Sequence, residues 1–292
     1  MSEFLHNIIK RCGVYIPLLL CLFACKQTDT HLSSPSDTDP ISKVRSDDTI
    51  RDTVTANNIR ELETLIRSNR QINLLGKDYK VYGLEAYVLR IRNIHDLDIV
   101  GEETTTILGG SEATVLSVVK SNNITVQNVS LMSYPDTGRR CQGGVLDLYN
   151  LTNLSLTNVT IRGKGAVGLV AKEIQGLEMS HSEITGCTCM IFELENSHNC
   201  QFNNVLFHNN NVVMSVLGGF TEGAGDINFN QCQFVNNQPK LVGNPAFNFA
   251  YNSEEQPVIM TDCTFDNNKG FKWYVNQIKL IDTNIDTTDF ED

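Results

Sequence analysis

The segment Ile124-Thr-Val-Gln-Asn-Val-Ser-Leu131 is the first clear copy of an eight-residue pattern that decides the fold. Each copy places apolar residues at positions one, three and eight, polar residues at four and five, and a small or apolar residue at six; position two is polar except for Ile259. Further copies begin at Leu154, Leu177, Cys200, Ile227 and Val258, a looser copy begins at Ile278, and an early trace lies at Leu97-Asp-Ile99. Successive copies start 20 to 31 residues apart, so the chain consists of repeated units of variable length.

The pattern alternates like a β-strand and lacks the 3.6-residue period of a helix. The step of three residues between positions three and six interrupts the alternation and indicates a corner. Another short strand precedes each unit, as in Leu146-Asp-Leu148, Leu169-Val-Ala171 and Phe192-Glu-Leu194. Such units cannot bury their apolar side alone, so they must stack. The sequence therefore predicts an all-β fold, a single-stranded right-handed parallel β-helix of about eight to ten coils.

Stacking predicts that equivalent residues lie over one another in columns. Asn runs follow three successive units, and we expect their amides to hydrogen-bond between coils, because Asn also tolerates left-handed turns. These runs are 209–211, 236–237 and 267–268. Position six predicts one inner column of Val129, Val159, Ser182, Val205, Cys232 and Cys263, and position eight predicts another of Leu131, Ile161, Ile184, Phe207, Phe234 and Phe265.

A short helix over residues 55–67 is predicted to cap the N-terminal end of the β-helix, where strand edges would otherwise be open. Asn58 and Glu61 have the spacing of a capping box. A strand, a glycine turn and a second strand follow over residues 72–81. This opening and the repeats, over roughly residues 55–285, resemble the pectate-lyase-like superfamily of right-handed β-helix proteins. The predicted apolar face of the helix consists of Ile59, Leu62, Leu65 and Ile66.

The first 25 residues have the features of a bacterial export signal. Lys10 and Arg11 precede an apolar stretch that is too short to span a bilayer. It ends in Leu22-Phe-Ala-Cys25, which resembles the lipobox of bacterial lipoproteins. The resemblance implies cleavage before Cys25 and lipidation of its sulfur; an ordinary signal peptide and a short uncleaved anchor are the alternatives. We expect a protein of the bacterial cell envelope, held to a membrane, the outer membrane in particular, through its lipid.

The predicted organisation is a signal peptide over 1–24, a lipidated cysteine with a flexible tether over 25–54, and the β-helix over 55–292. The tether is rich in Ser, Thr, Asp and Pro and has too few apolar groups for a core. Composition, with 41% hydrophobic and 20% charged residues, excludes a fully disordered chain and a polytopic membrane protein. A formal charge of −11 argues against a nucleic-acid partner. The oligomeric state is left open.

Six cysteines follow the predicted signal and Cys25, and their spacing does not give a pairing. Cys232 and Cys263 should stack in adjacent coils, where buried free thiols are favoured over a bridge. The spacing of Cys and His does not indicate zinc, and we predict no metal and no cofactor. His181, His198 and His208 are interpreted as residues lining turns, with a metal site as the alternative. The other four cysteines are Cys141, Cys187, Cys189 and Cys200.

The resemblance to the superfamily implies polysaccharide lyases, glycoside hydrolases, epimerases and esterases, but also non-catalytic adhesins. Its polygalacturonase-like hydrolases carry paired Asp, Gly-His-Gly and Arg-x-Lys, and the repeats contain no Asp-Asp, no Gly-His-Gly and no Arg-Ile-Lys. The weak catalytic candidates are Asp147 and Glu193, predicted two coils apart on one outward column with Val170 between them. Two coil rises give about 9.6 Å, close to the spacing of about 6.5–9.5 Å in inverting glycosidases.

Arg140, in the loop after Tyr134, is the third candidate, because Arg can bind the carboxylates of uronic acids. The alternative for Asp147 and Glu193 is a pair of solvated acids, and for Arg140 a solvated turn. Whether the chain is an enzyme is left open. The first hypothesis is an envelope lipoprotein that presents a long polar face and binds a glycan or another surface component without catalysis. The rival is a polysaccharide-active enzyme, and a scaffold without a ligand is the third option.

Overall fold

The computed structural model describes residues 51–83, 88–102, 105–110, 114–133, 144–163, 167–212, 219–220, 223–239, 247–248, 257–269, 271–272 and 278–283. The predicted signal peptide, Cys25, the tether as far as residue 50, Arg140 and Cys141 lie outside these residues. Among the residues that are described, no helix is long and apolar enough to cross a membrane.

The described elements are short strands and one helix, α1 (Ile59–Leu65), with a 3₁₀ turn at Val81–Gly83. The strands β1 to β12 are, in order, Asp52–Ala56, Arg70–Leu74, Asp78–Lys80, Leu89–Arg92, His95–Val100, Thr106–Gly109, Leu116–Ser133, Gly144–Arg162, Val167–Ser180, Glu183–Thr185, Phe192–Glu195 and His198–Asn203. The strands β13 to β23 are Leu206–His208, Asn211–Val212, Gly219–Phe220, Gly225–Asn230, Gln233–Val235, Gln238–Pro239, Phe247–Asn248, Val258–Thr261, Thr264–Asp266, Phe271–Lys272 and Ile278–Ile281.

These strands stack in parallel along three sides of a coil, and the predicted parallel β-helix is confirmed. The first sheet stacks ten strand segments within the described residues: β1, β2, β5, the middle of β7 and β8, the end of β9, β12, β16, β20 and β23. The second sheet contains β3, β6, the ends of β7 and β8, β10, β13, β17 and β21. The third contains β4, the starts of β7, β8 and β9, β11, β15, β19 and β22.

The corners between these sheets are made by residues in the left-handed region, most of them Asn or Asp. At the corner that follows the first sheet, Asn128, Asn158, His181 and Asn204 have φ between 50° and 55°. Asn and Asp reach this region at less cost than other side chains, since they bond to nearby backbone. The amides also stack: Asn158 Nδ2 donates to Asn128 Oδ1 of the preceding coil at 2.9 Å. The corner that the interrupted alternation predicts is therefore built by residues in the left-handed region, Asn in three of these four coils and His181 in the other.

The interior consists of the predicted columns. Leu131, Ile161, Ile184, Phe207, Phe234 and Phe265 pair in that order through five successive coil steps. In the C-terminal half the column becomes a stack of rings, with centroids 4.9 Å apart for Phe207–Phe234 and 4.6 Å for Phe234–Phe265. Each aromatic contact contributes about 0.5–1.5 kcal/mol beyond its buried area. Apolar side chains, which need no partner of specific geometry, thus bind one coil to the next.

One column of the interior is polar and fully hydrogen-bonded. Asn210, Asn237 and Asn268 are at most 1% exposed and lie in successive coils. Asn210 Nδ2 donates to Asn237 Oδ1, and Asn237 Nδ2 donates to Asn268 Oδ1, both at 2.8 Å. The three amides also donate to the carbonyls of Ile184, Phe207 and Phe234. The predicted hydrogen bonding of Asn runs between coils is confirmed.

The N-terminal cap forms as predicted, but the solenoid begins earlier. Asn58 Oδ1 accepts from the backbone N–H groups of Arg60 and Glu61, which starts α1, and Ile59 and Leu62 are buried. Strand β1 starts at Asp52 and pairs residue by residue with β2. Residues 52–54, which we assigned to the end of the tether, therefore belong to the first coil. The polar composition hid this strand, because Asp52, Thr53 and Thr55 point to solvent and only Ala56 is buried.

The cysteines within the described residues comprise four free thiols and one disulfide-bonded residue. Cys187, Cys200, Cys232 and Cys263 are buried and free, which confirms the prediction for the stacked pair Cys232 and Cys263. Burial raises the pKa of the Cys187 and Cys200 thiols to about 12. Cys189 is disulfide-bonded, with its partner outside the described residues. The interior thiols therefore pack as small apolar groups.

Candidate functional site

The predicted carboxylate pair lies on the third sheet. Asp147 pairs with Val170 and Val170 with Glu193, so the two acids occupy one outward column two coils apart. This is the placement that the repeat register predicts. The contacts of each carboxylate depend on side chains from neighbouring coils.

Asp147 holds the start of its own strand in place. Its carboxylate accepts from Thr114 Oγ1 at 2.6 Å and from the backbone N–H of Gly144 at 2.7 Å. Burial raises its pKa above the usual value, while these two hydrogen bonds oppose the rise. A carboxylate bound on both sides by its own scaffold acts first as a structural acceptor.

Glu193 is part of an ion-pair cluster on the same sheet. Lys172 Nζ donates to Glu193 Oε1 at 2.9 Å and to Glu195 Oε2 at 2.6 Å. Lys172 lies one coil before the two glutamates and pairs directly with Glu195 in the sheet register. One cation shared by two carboxylates offsets part of their charge, and the cluster joins two neighbouring coils through these ion pairs.

A groove, which the sequence did not predict, opens where the chain turns from the first sheet into the second. Its volume is about 420 Å³, within the range of about 300–1,000 Å³ for small-molecule sites. The groove is produced by the left-handed corner, which turns the chain sharply and leaves a furrow across three stacked coils. Its lining residues are Asn158, Val159, Thr160, His181, Ser182, Glu183, Asn204 and Leu206.

The groove combines two apolar residues, Val159 and Leu206, with several neutral polar groups and one carboxylate. Leu206 and Glu183 lie on adjacent coils in the outward column of the second sheet. Glu183 Oε2 lies 3.2 Å from His208 Nε2, and His208 Nδ1 lies 2.7 Å from Asn209 Nδ2. Amides, a hydroxyl and an apolar patch can together contact the hydroxyls and the C–H face of a sugar ring. We call this surface the corner groove.

The outward side of the first sheet adjoins the corner groove and carries mostly neutral polar side chains. Most of these side chains are Ser, Thr, Asn or Gln, which present hydroxyls and amides on coils stacked about 4.8 Å apart. The outward columns of the first sheet also contain two carboxylates, Asp98, which pairs with Arg51, and Glu178. One outward column runs Gln71, Asp98, Thr125, Ser155, Glu178, Gln201 and Asn228, and the next runs Asn73, Val100, Gln127, Thr157, Ser180, Asn203 and Asn230.

The three histidines named from the sequence do not converge. His181 lies at a corner and His208 on the second sheet beside Glu183, whereas His198 starts a strand of the first sheet. Within the described ranges, no group of three or more His, Cys, Asp or Glu side chains could hold a metal ion. Of the three catalytic candidates, Asp147 and Glu193 share a column, and Arg140 lies outside the described residues.

The comparison with protein families agrees with this architecture. A family model described as a right handed beta helix region matches residues 109–285, which is 177 of the 292 residues. The chain therefore belongs to the right-handed β-helix family, as the repeat pattern predicted. A search of the curated proteins finds no match.

Proposed function

We propose that this protein is an exported cell-envelope lipoprotein that binds a glycan in the corner groove without catalysis. The observation that carries the proposal is the groove itself, a concave surface with neutral amides and a hydroxyl around Leu206. Neutral sugars present many hydroxyls for hydrogen bonding and an apolar C–H face, and this lining offers groups for both. The adjoining polar columns of the first sheet supply further hydrogen-bonding groups along the solenoid axis.

The contacts of the carboxylates support binding rather than catalysis. Asp147 is bound by Thr114 and Gly144, and Glu193 by Lys172. A general acid or base must be within hydrogen-bond reach of substrate, and groups bound by the scaffold must first lose those partners. Export is supported by the lipobox-like Leu22-Phe-Ala-Cys25 and by the disulfide at Cys189, since disulfides persist in oxidising compartments.

The binding experiment uses the full chain in detergent against a panel of neutral and uronic-acid glycans, followed by calorimetry on each hit. The test variant is Asn204→Gly, which removes one groove amide at a residue with φ of 55°, where glycine is unstrained. Its matched control is Asn199→Gly, also at φ of 55° but at a corner outside the groove. We expect weaker binding for the first variant only.

Three outcomes would contradict the proposal. Equal affinities of the two glycine variants would place the ligand elsewhere. New reducing ends or unsaturated products would establish an enzyme, and their loss in Asp147→Asn would locate it on the third sheet. Absence of binding to every glycan would favour a scaffold. Lipidation is tested separately, by mass spectrometry of the N-terminal peptide, and Cys25→Ala should release the protein from membranes that are washed in high salt.

A further inference from the structure

Charge is distributed unevenly along the axis of the solenoid. The described residues of 51–92 contain eight Lys and Arg against four Asp and Glu, a net charge of +4. The described residues of 171–283 contain four Lys and Arg against nine Asp and Glu, a net charge of −5. Because coils stack in chain order, this difference in sequence becomes a difference in space. Among the described residues, the first coils are cationic and the last coils are acidic.

The positive charges of the first coils are accessible to solvent. Arg70 is buried in the cap, but six other basic side chains of the first coils are exposed. Only Arg67 among these six forms an ion pair within the described residues, with Asp52 at 2.9 Å. We call this set the cationic end: Arg60, Arg67, Lys77, Lys80, Arg90 and Arg92.

Two large apolar side chains are exposed among these cations. Leu75 is 51% and Tyr82 is 45% exposed, and they flank Lys77 and Lys80 in the chain. Tyr is well suited to a membrane interface, because its ring is apolar and its hydroxyl is polar. Apolar side chains beside unpaired cations fit a surface that presents anionic headgroups over an apolar interior.

The carboxylates nearest the cationic end are the exposed Glu61, Glu63 and Asp78, which leave the first coils with a net positive charge. The acidic end is too distant to cancel the remaining attraction. Nine coil steps separate the first and last strands of the first sheet, which is about 43 Å. The Debye length at physiological ionic strength is about 8 Å, so each end interacts with a charged surface independently. The polypeptide before β1 also enters at the cationic end, since Asp52 lies in the first coil.

We propose that the cationic end docks on an anionic lipid surface, with Tyr82 and Leu75 at the headgroup level, and that the acidic end points away from it. This orientation holds the corner groove several coils away from the membrane. The inference does not depend on glycan binding or on lipidation, because it uses only side chains of the first coils.

The test uses the full chain with Cys25→Ala, which removes the predicted lipid, and vesicles of phosphatidylcholine with or without about one third phosphatidylglycerol. We expect cosedimentation with the anionic vesicles only, and its loss in high salt. Lys77→Glu combined with Arg90→Glu should weaken binding more than about twentyfold, since each removed cation is worth about fivefold. Tyr82→Ala should weaken it further.

The matched control places the same two reversals at the other end, Lys269→Glu with Lys279→Glu, both exposed residues. This control should bind as the parent does, and circular dichroism confirms that each variant is folded. Equal binding of the two double variants, or a loss confined to Lys269 and Lys279, would overturn the proposal. Retention on a soluble polyanion without vesicle binding would also overturn it. Asn204→Gly should leave vesicle binding unchanged, because the corner groove lies outside the cationic end. A failure of the glycan experiment therefore does not count against vesicle binding.

Discussion

Replacing Asn237 with Ala tests whether the buried asparagine column holds successive coils together. Asn237 is 0% exposed and makes three side-chain hydrogen bonds at 2.8 Å, to the amides of Asn210 and Asn268 and to the carbonyl of Phe207. At about 1 kcal/mol for each buried hydrogen bond, Asn237→Ala should lower the free energy of unfolding by about 3 kcal/mol. For a folded region of this size, that corresponds to a fall in Tm of about 6–12 °C.

The adjacent residue supplies the control. Asn236 is exposed, has φ of 54°, and accepts one hydrogen bond from Asn267 at the surface. Asn236→Gly retains the turn and should change the free energy of unfolding by less than about 0.5 kcal/mol. Thermal unfolding followed by circular dichroism measures both variants, and hydrogen exchange across 205–212 shows whether the loss is local. If Asn237→Ala unfolds within 2 °C of Asn236→Gly, the buried amides do not stabilise the solenoid.

Three further predictions concern thiols, a carboxylate and an ion pair. Burial raises the pKa of Cys187 and Cys200 from 9.0 to about 12, so stability should fall as pH rises from 9 through 12. Mapped alkylation at neutral pH should label both thiols only after unfolding, and rapid native labelling would contradict this. Burial raises the pKa of Asp147 above its ordinary value of 3.8, so the folded state favours the protonated carboxyl. This contribution to the free energy of unfolding is lost as pH rises through the folded pKa. Asp147→Asn should therefore keep or raise Tm at neutral pH, and the difference from the parent should disappear in acid. A lower Tm of the variant at neutral pH would show that the charge of Asp147 is needed for stability. Lys172→Met should lower the free energy of unfolding by at most about 1 kcal/mol, because the ion pairs of Lys172 with Glu193 and Glu195 are partly exposed. The loss should shrink in high salt. A loss that does not depend on salt would indicate that Lys172 stabilises the fold by packing instead.

The positions of the catalytic candidates could be predicted from the sequence, but their hydrogen-bond and ion-pair partners could not. Asp147, Val170 and Glu193 lie in the register that the repeats predict. Their contacts come from residues of neighbouring coils: Thr114 reaches Asp147 from 33 residues away, and Lys172, in register with Glu195, reaches Glu193 from 21. The repeat pattern specifies which residues share a column but not which polar neighbours bond.

The sequence by itself determined the solenoid, its inner columns, the capping helix and the left-handed corners. These follow from local pattern, because each coil repeats one strand and corner arrangement and its apolar positions must lie over those of the next coil. Only the tertiary structure decided that residues 52–54 form a strand, that Asn210, Asn237 and Asn268 point inward, and that a groove opens beside Leu206. These features depend on how side chains from separate coils meet, and the distances between those coils are set by packing rather than by the order of residues along one strand.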